Sequence, residues 1–114
     1  MEGLIVARWR GPTTGREKES WALAGEMDAL MERWIAEGKI TGFEWVVGFT
    51  GRDGHMAILR GEPSALVALS MDPELLDIIM KATWFNDDFG WDFALSGSTA
   101  TDAWPAVEAA LAKL

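Results

Sequence analysis

Between residues 21 and 49 the apolar side chains change period, and that change restricts the fold more than any other feature of the chain. From Trp21 through Ala24, Met27, Leu30/Met31 and Trp34/Ile35 they recur every three or four residues, which gathers them on one stripe of a helix. From Phe43 through Trp45, Val47 and Phe49 they recur every second residue, as in a strand with one apolar face. Each element then has an apolar side that must be covered by another layer, so the chain is expected to stack helices on a sheet.

The flanking segments extend this pattern. Residues 3–9 (GLIVARW) form a strand candidate, and Gly11, Pro12 and Gly15 break it. Thr14 with Glu17 matches a capping box at the start of the long helix, and Gly38 is placed to end it. The Gly51–Gly54 segment reads as a turn leading into a strand over His55–Arg60. An even-length turn would put Met56 and Ile58 on the Phe43/Trp45 face, and Ala57 and Leu59 on the Val46 face. Pro63 opens a second helical region, and Asp72-Pro73 restarts it as N-cap and first helical residue. Leu75/Leu76, Ile79/Met80 and Thr83 carry the helical spacing onward. Asn86-Asp87-Asp88 reads as a turn, and Phe89, Trp91, Phe93 and Leu95 alternate as a final strand. Thr101 or Asp102 is expected to cap a short terminal helix with Pro105 in its first turn.

The resulting order is β-α-β-β-α-β plus a terminal helix. Right-handed crossovers then lead to a four-stranded antiparallel sheet with two helices on one face, an α+β domain spanning residues 1–114. Large apolar side chains remain on the other face, so a homodimer that packs sheet against sheet is the expected partner state.

Composition narrows the function classes. Eighteen acidic against ten basic residues give a net charge of −8, which disfavours nucleic acid and anionic membranes as partners. There is no cysteine, so disulfides, thiolate metal sites and a Cys nucleophile are excluded. The first ten residues lack the pattern of a signal peptide, and the longest apolar run, 65–69, is too short to span a bilayer. A cytoplasmic location is the expectation.

Few side chains suggest chemistry. His55, the only histidine, is an acid–base candidate because its ordinary pKa lies near neutrality, although it borders a turn. Asp92 falls mid-strand on the face opposite Trp91 and Phe93. It is expected either to pair with Arg8 on the adjacent first strand or to serve a bound ligand as acid or base. Arg60 and Glu44 also lie in strands. Trp84 and Trp45, with Arg8, are the candidate ligand contacts, Trp84 because it breaks the helical spacing before the turn. Asp87, Asp88 and Asp92 lack the spacing of a calcium loop. Neither a metal nor a cofactor is expected.

The stretches AEGKITGFEWV, HMAILRGEPSALVAL, DPELLDIIMKAT and FGWDFALSG, covering most of residues 3–97, resemble small uncharacterised bacterial members of the dimeric α+β barrel superfamily. That resemblance implies a ferredoxin-like fold and a dimer. It rests on the Glu-Gly-Lys-Ile helix exit, the Arg-Gly after the third strand and the Phe-Gly of the fourth. The better-known YCII-like relatives pair an early His with an Asp, a pattern absent here. The cofactor-free monooxygenases of the superfamily use Asn, Trp and Tyr around flat phenolic substrates, whereas this chain has no Tyr and a single Asn, Asn86. The expected function is non-catalytic binding of a small apolar or aromatic molecule. The alternative is a cofactor-free enzyme, monooxygenase- or isomerase-like, that uses Asp92 or His55.

Overall fold

The computed structural model describes residues 2–48 and 54–113. In chain order the elements are β1 (Gly3–Trp9), β2 (Gly11–Pro12), α1 (Glu17–Ala36), β3 (Gly42–Val47), β4 (His55–Gly61), α2 (Pro63–Leu69), α3 (Pro73–Phe85), β5 (Asn86–Asp87), β6 (Gly90–Leu95) and α4 (Gly97–Leu111). Among the described residues these make a mixed α+β fold with four helices and a four-stranded antiparallel sheet of order β3-β4-β1-β6. None of the helices is long and apolar enough to cross a membrane. Phe49 and the expected turn, except for Gly54, lie outside the described residues.

The register defines two faces. Ile5 stands opposite Leu59 and Phe93, Ala7 opposite Ala57 and Trp91, and Trp45 opposite Ala57. Alternation therefore puts Ile5, Ala7, Ala57, Leu59, Phe43, Trp45, Trp91 and Phe93 on one face. Met56 and Ile58 lie on the other with Val46 and Glu44, the reverse of the expected assignment. The cause is parity: Val47 faces His55, so an odd number of residues separates them. At the neck of this hairpin a Cβ on Gly48 would lie 2.5 Å from the Gly54 carbonyl oxygen, so only glycine fits the approach.

Helices cover the Ile5/Leu59 face. Leu23, Met27, Leu30, Met31 and Trp34 of α1 are buried, and the last four close with Ile40, Leu66 and Leu75 on Ile5 and Leu59. Each fully buried large side chain contributes about 1.5–3 kcal/mol. Trp21, expected on this stripe, is 82% exposed. At 3.6 residues per turn it lies about 140° round the helix from the stripe's centre, and Leu23 takes its place. In α3 the buried positions are Leu75 and Ala82, with Ile78 and Ile79 packed on the core, while Met80 and Thr83 face outward.

The helix ends are set by local hydrogen bonds. α1 stops in a Schellman arrangement: Lys39 N–H donates to the Trp34 carbonyl and Gly38 N–H to that of Ile35, with Gly38 at φ +74°. Its N-cap is Arg16, not Thr14, and in place of the expected box the Glu17 carboxyl accepts from Gly15 N–H at 3.1 Å. Asp72 caps α3 by accepting from Glu74 and Leu75 N–H, with Pro73 in the first turn as expected. Glu62 caps α2. Donation from Ser64 Oγ, then from the Ala65 amide, holds its carboxyl below the ordinary value. α4 differs from expectation: it starts at Gly97 and Pro105 lies in its interior.

Candidate binding cavity

A partly open cavity of about 90 Å³ lies between the helix-covered sheet face and helices α1 and α3. Its walls follow from the alternation already described. Ile5, Ala7, Ala57 and Leu59 form the sheet side, and Met27, Leu75, Ile79 and Ala82 the helix side. Trp9, Trp45, Phe89 and Trp91 complete the lining with aromatic surface. Trp9 is the hub of that cluster. It meets Trp45 edge-on at 6.1 Å between ring centroids, Phe89 at 6.5 Å, and stacks on His55 at 5.8 Å with 17° between planes. Trp45 is oriented by its indole N–H, which donates to Asp28 of α1 at 3.2 Å.

Among the described residues, two polar side chains reach the cavity, Ser20 and Asn86. Ser20 Oγ donates to Asn86 Oδ1 at 2.7 Å, and Asn86 Nδ2 donates to the Ala82 carbonyl at 3.2 Å. Asn86 is buried because a two-stranded ribbon holds it, β2 pairing with β5 so that Pro12 faces Asn86 and Gly11 faces Asp87. The ribbon is reinforced by Arg10 N–H to the Asp87 carbonyl, Thr13 N–H to that of Phe85, and Thr13 Oγ1 to Asp87 Oδ1 at 2.8 Å. Arg10 also pairs with Asp88 at 2.7 Å, and the Arg16 guanidinium lies 6.0 Å from the Phe85 ring centroid. The expected 86–88 turn is thus partly a strand. Two-residue strands carry no periodicity, so only the tertiary pairing reveals them.

The residues singled out from the sequence are dispersed. Trp45 lines the cavity. His55 is half-buried beside it, its ring against Trp9. Trp84 is 77% exposed on α3 and points away from the core. Arg8 and Asp92 are exposed on the opposite sheet face, where Arg8 faces Gly90 and Asp92 faces Val6. No ion pair joins them among the described residues: the register puts them one diagonal step apart, and neither side chain is forced from water to seek a partner. Arg60 and Glu44 do meet on that face, at 2.7 Å, and Glu2 adds a second contact to Arg60 at 3.1 Å. The hydrogen bond to Glu44, then that to Glu2, raises the Arg60 pKa.

Asp87 and Asp88 are engaged by Thr13 and Arg10, and Asp92 stands apart on the outer face. Among the described residues no group of three His, Asp or Glu side chains is placed to hold a metal ion. Trp9, Ser20, Asn86 and Phe89 were not singled out from the sequence. Trp9 shares parity with Ile5 and Ala7, which is signal enough to put it on the cavity face. Ser20 and Asn86 carry no such signal, being 66 residues apart in sequence. In comparisons with protein-family models, with curated proteins and with solved structures, the chain has no match.

Proposed function

We propose that the chain binds a small, flat, uncharged aromatic molecule in this cavity and does no chemistry on it. The observation that carries the reading is the lining itself: among the described residues it is aromatic and aliphatic surface with Ser20 and Asn86 as the polar groups, and it includes no Asp, Glu, Lys, Arg or His. A charged ligand would lose its hydration there without a counter-charge. An acid–base reaction would need a titratable group within hydrogen-bond reach of the substrate. Sites for drug-sized ligands occupy about 300–1,000 Å³, whereas a cavity of ~150 Å³ accepts benzene. At about 90 Å³ with an open side, this one suits a single ring whose edge remains in the mouth. The Ser20–Asn86 pair would accept one hydroxyl or N–H from it.

Titration with phenol and benzoate, read by tryptophan fluorescence, tests the reading. Saturable quenching by phenol and none by benzoate is expected. Ala24→Leu adds bulk at the half-exposed α1 wall and should abolish that quenching while leaving the free energy of urea unfolding within about 1 kcal/mol of the parent's. Non-saturable quenching, or equal quenching of the parent and Ala24→Leu, would refute it.

We also infer that the fold is ferredoxin-like and that two copies pair through the outer sheet face, as the dimeric α+β barrel resemblance implies. The strand order β3-β4-β1-β6 supports the first part. For the second, Leu4, Val46, Met56 and Ile58 form a half-buried apolar field on that face, flanked by Arg8 and Asp92. A two-fold axis would let each Arg8 meet the other copy's Asp92. Sedimentation should show a dimer at tens of micromolar, and Met56→Glu should dissociate it. A monomeric parent would rule the pairing out.

A further inference from the structure

We propose that α4 of one copy lies along the exposed Phe93–Leu95 strip on β6 of a second copy. The inference rests on the two-copy reading above, but not on which sheet face the copies share.

The starting point is that α4 has little to hold it. It is 15 residues long, Pro105 removes a backbone donor from its interior, and Ser96 provides no side-chain cap. Isolated helices of about 12–15 residues are marginal in water even with favourable sequences, so most helical stability comes from packing an apolar face. α4 has such a face. Ala100, Trp104, Val107 and Leu111 follow one another at steps of four, three and four, which puts them on one stripe. Yet Trp104, Val107 and Leu111 are 62%, 45% and 60% exposed, and every residue from 104 to 113 is open to solvent.

A complementary surface exists on β6. Phe93 and Leu95 share the face that carries the core, but at 50% and 43% exposure they lie beyond the cover of α1 and α3. Phe93 and Leu95 stand about 7 Å apart along the strand and Val107 and Leu111 about 6 Å apart along the helix, so successive side chains of the two strips are spaced to meet.

The helix does not reach its own strip. Ser96 alone separates β6 from α4, whereas connections that fold a helix back onto its own sheet use about 2–6 residues. The molecule extends 49 × 33 × 23 Å, and its radius of gyration of 15.7 Å exceeds the ~13 Å of a compact chain of this length. The same strip on a second copy has no such restriction. Two reciprocal dockings would bury on the order of 1,000 Å² of aromatic and aliphatic surface, close to the ~1,200 Å² lower bound for a stable interface.

The absence of native cysteine gives a clean test in the full chain. Leu95→Cys and Val107→Cys are prepared separately, mixed and oxidised. The expected product is a disulfide-linked pair containing one chain of each variant, in clear excess over either self-linked pair. Val107→Cys linking to itself as readily would show α4 against α4 and overturn the placement. Dimers in sedimentation without the mixed product would overturn it too, while leaving outer-face pairing intact. A monomeric parent would overturn both. Val107→Glu supplies the second reading: at least a tenfold weaker dimer is expected with an unchanged urea midpoint for the monomer, and an unchanged dimer constant would count against the docking.

Discussion

α1 and α4 both carry an apolar stripe at helical spacing, but their surroundings differ. α1 presses five side chains into the core, with Trp34 only 1% exposed, and ends in a hydrogen-bonded Schellman turn. α4 has an interior proline, no side-chain cap, and its largest apolar groups in water. The contrast shows that spacing establishes which side of a helix is apolar and says nothing of what lies opposite. For α1 the opposing surface belongs to the same chain. For α4 it must come from elsewhere or the helix is marginal.

The comparison can be broken most forcefully at Trp34. Trp34→Ala is expected to cost about 3–5 kcal/mol, because a fully enclosed aromatic leaves a cavity that its neighbours fill only in part. A urea midpoint close to the parent's would show that α1 does not anchor the core. At the exit of the same helix, Gly38→Ala should cost about 1–2 kcal/mol, since a Cβ at φ +74° meets backbone strain. No heavy atom lies within 4 Å of that Cβ, so packing adds nothing to the loss. A loss well above that range in thermal or urea unfolding would mean that the local strain is not the whole cause.

Glu62 sharpens the contrast between capped and uncapped helix starts. Its carboxyl is held below the ordinary value in the folded chain, so its contribution is present above the unfolded pKa of about 4.3 and is lost as pH falls through the folded value. Glu62→Gln should therefore lower the melting temperature slightly at pH 7 and leave it closer to the parent's at pH 3. Equal differences at both pH values would remove the carboxylate's charge from the account. The smallest effect is expected at Pro105. Restoring the backbone donor with Pro105→Ala should raise the helical circular dichroism signal while moving the free energy of urea unfolding of dilute protein by no more than about 0.5 kcal/mol. A clear gain in midpoint would show that α4 is already coupled to the core in a single chain.

Much of the fold was legible in residue spacing. The four main strands, the long helix and the Asp72-Pro73 restart follow from period and capping chemistry, which act over three or four residues. The hairpin faces did not, because one residue of loop length inverts every side chain on a strand. Trp21 and Leu23 show the same limit inside a helix. Both are apolar, and only their angular position relative to Met27, Leu30 and Trp34 separates the exposed from the buried one. The cavity was less legible still. Trp45 was singled out, but Trp9 lay unremarked in a strand, and Ser20 met Asn86 only through the β2–β5 ribbon.

The amino-acid sequence by itself determined the types of the main elements, the helix stop at Gly38, the helix start at Asp72, the acidic charge and the absence of thiol chemistry. Each is a property of single residues or of neighbours within one turn. Tertiary structure alone decided that Asn86 is enclosed, that Asp92 and Arg8 face outward without pairing, and that Trp84 stands clear of the cavity. Those outcomes depend on strand register and on contacts between residues dozens of positions apart. A side chain's burial is settled by what packs against it, and no local period specifies that.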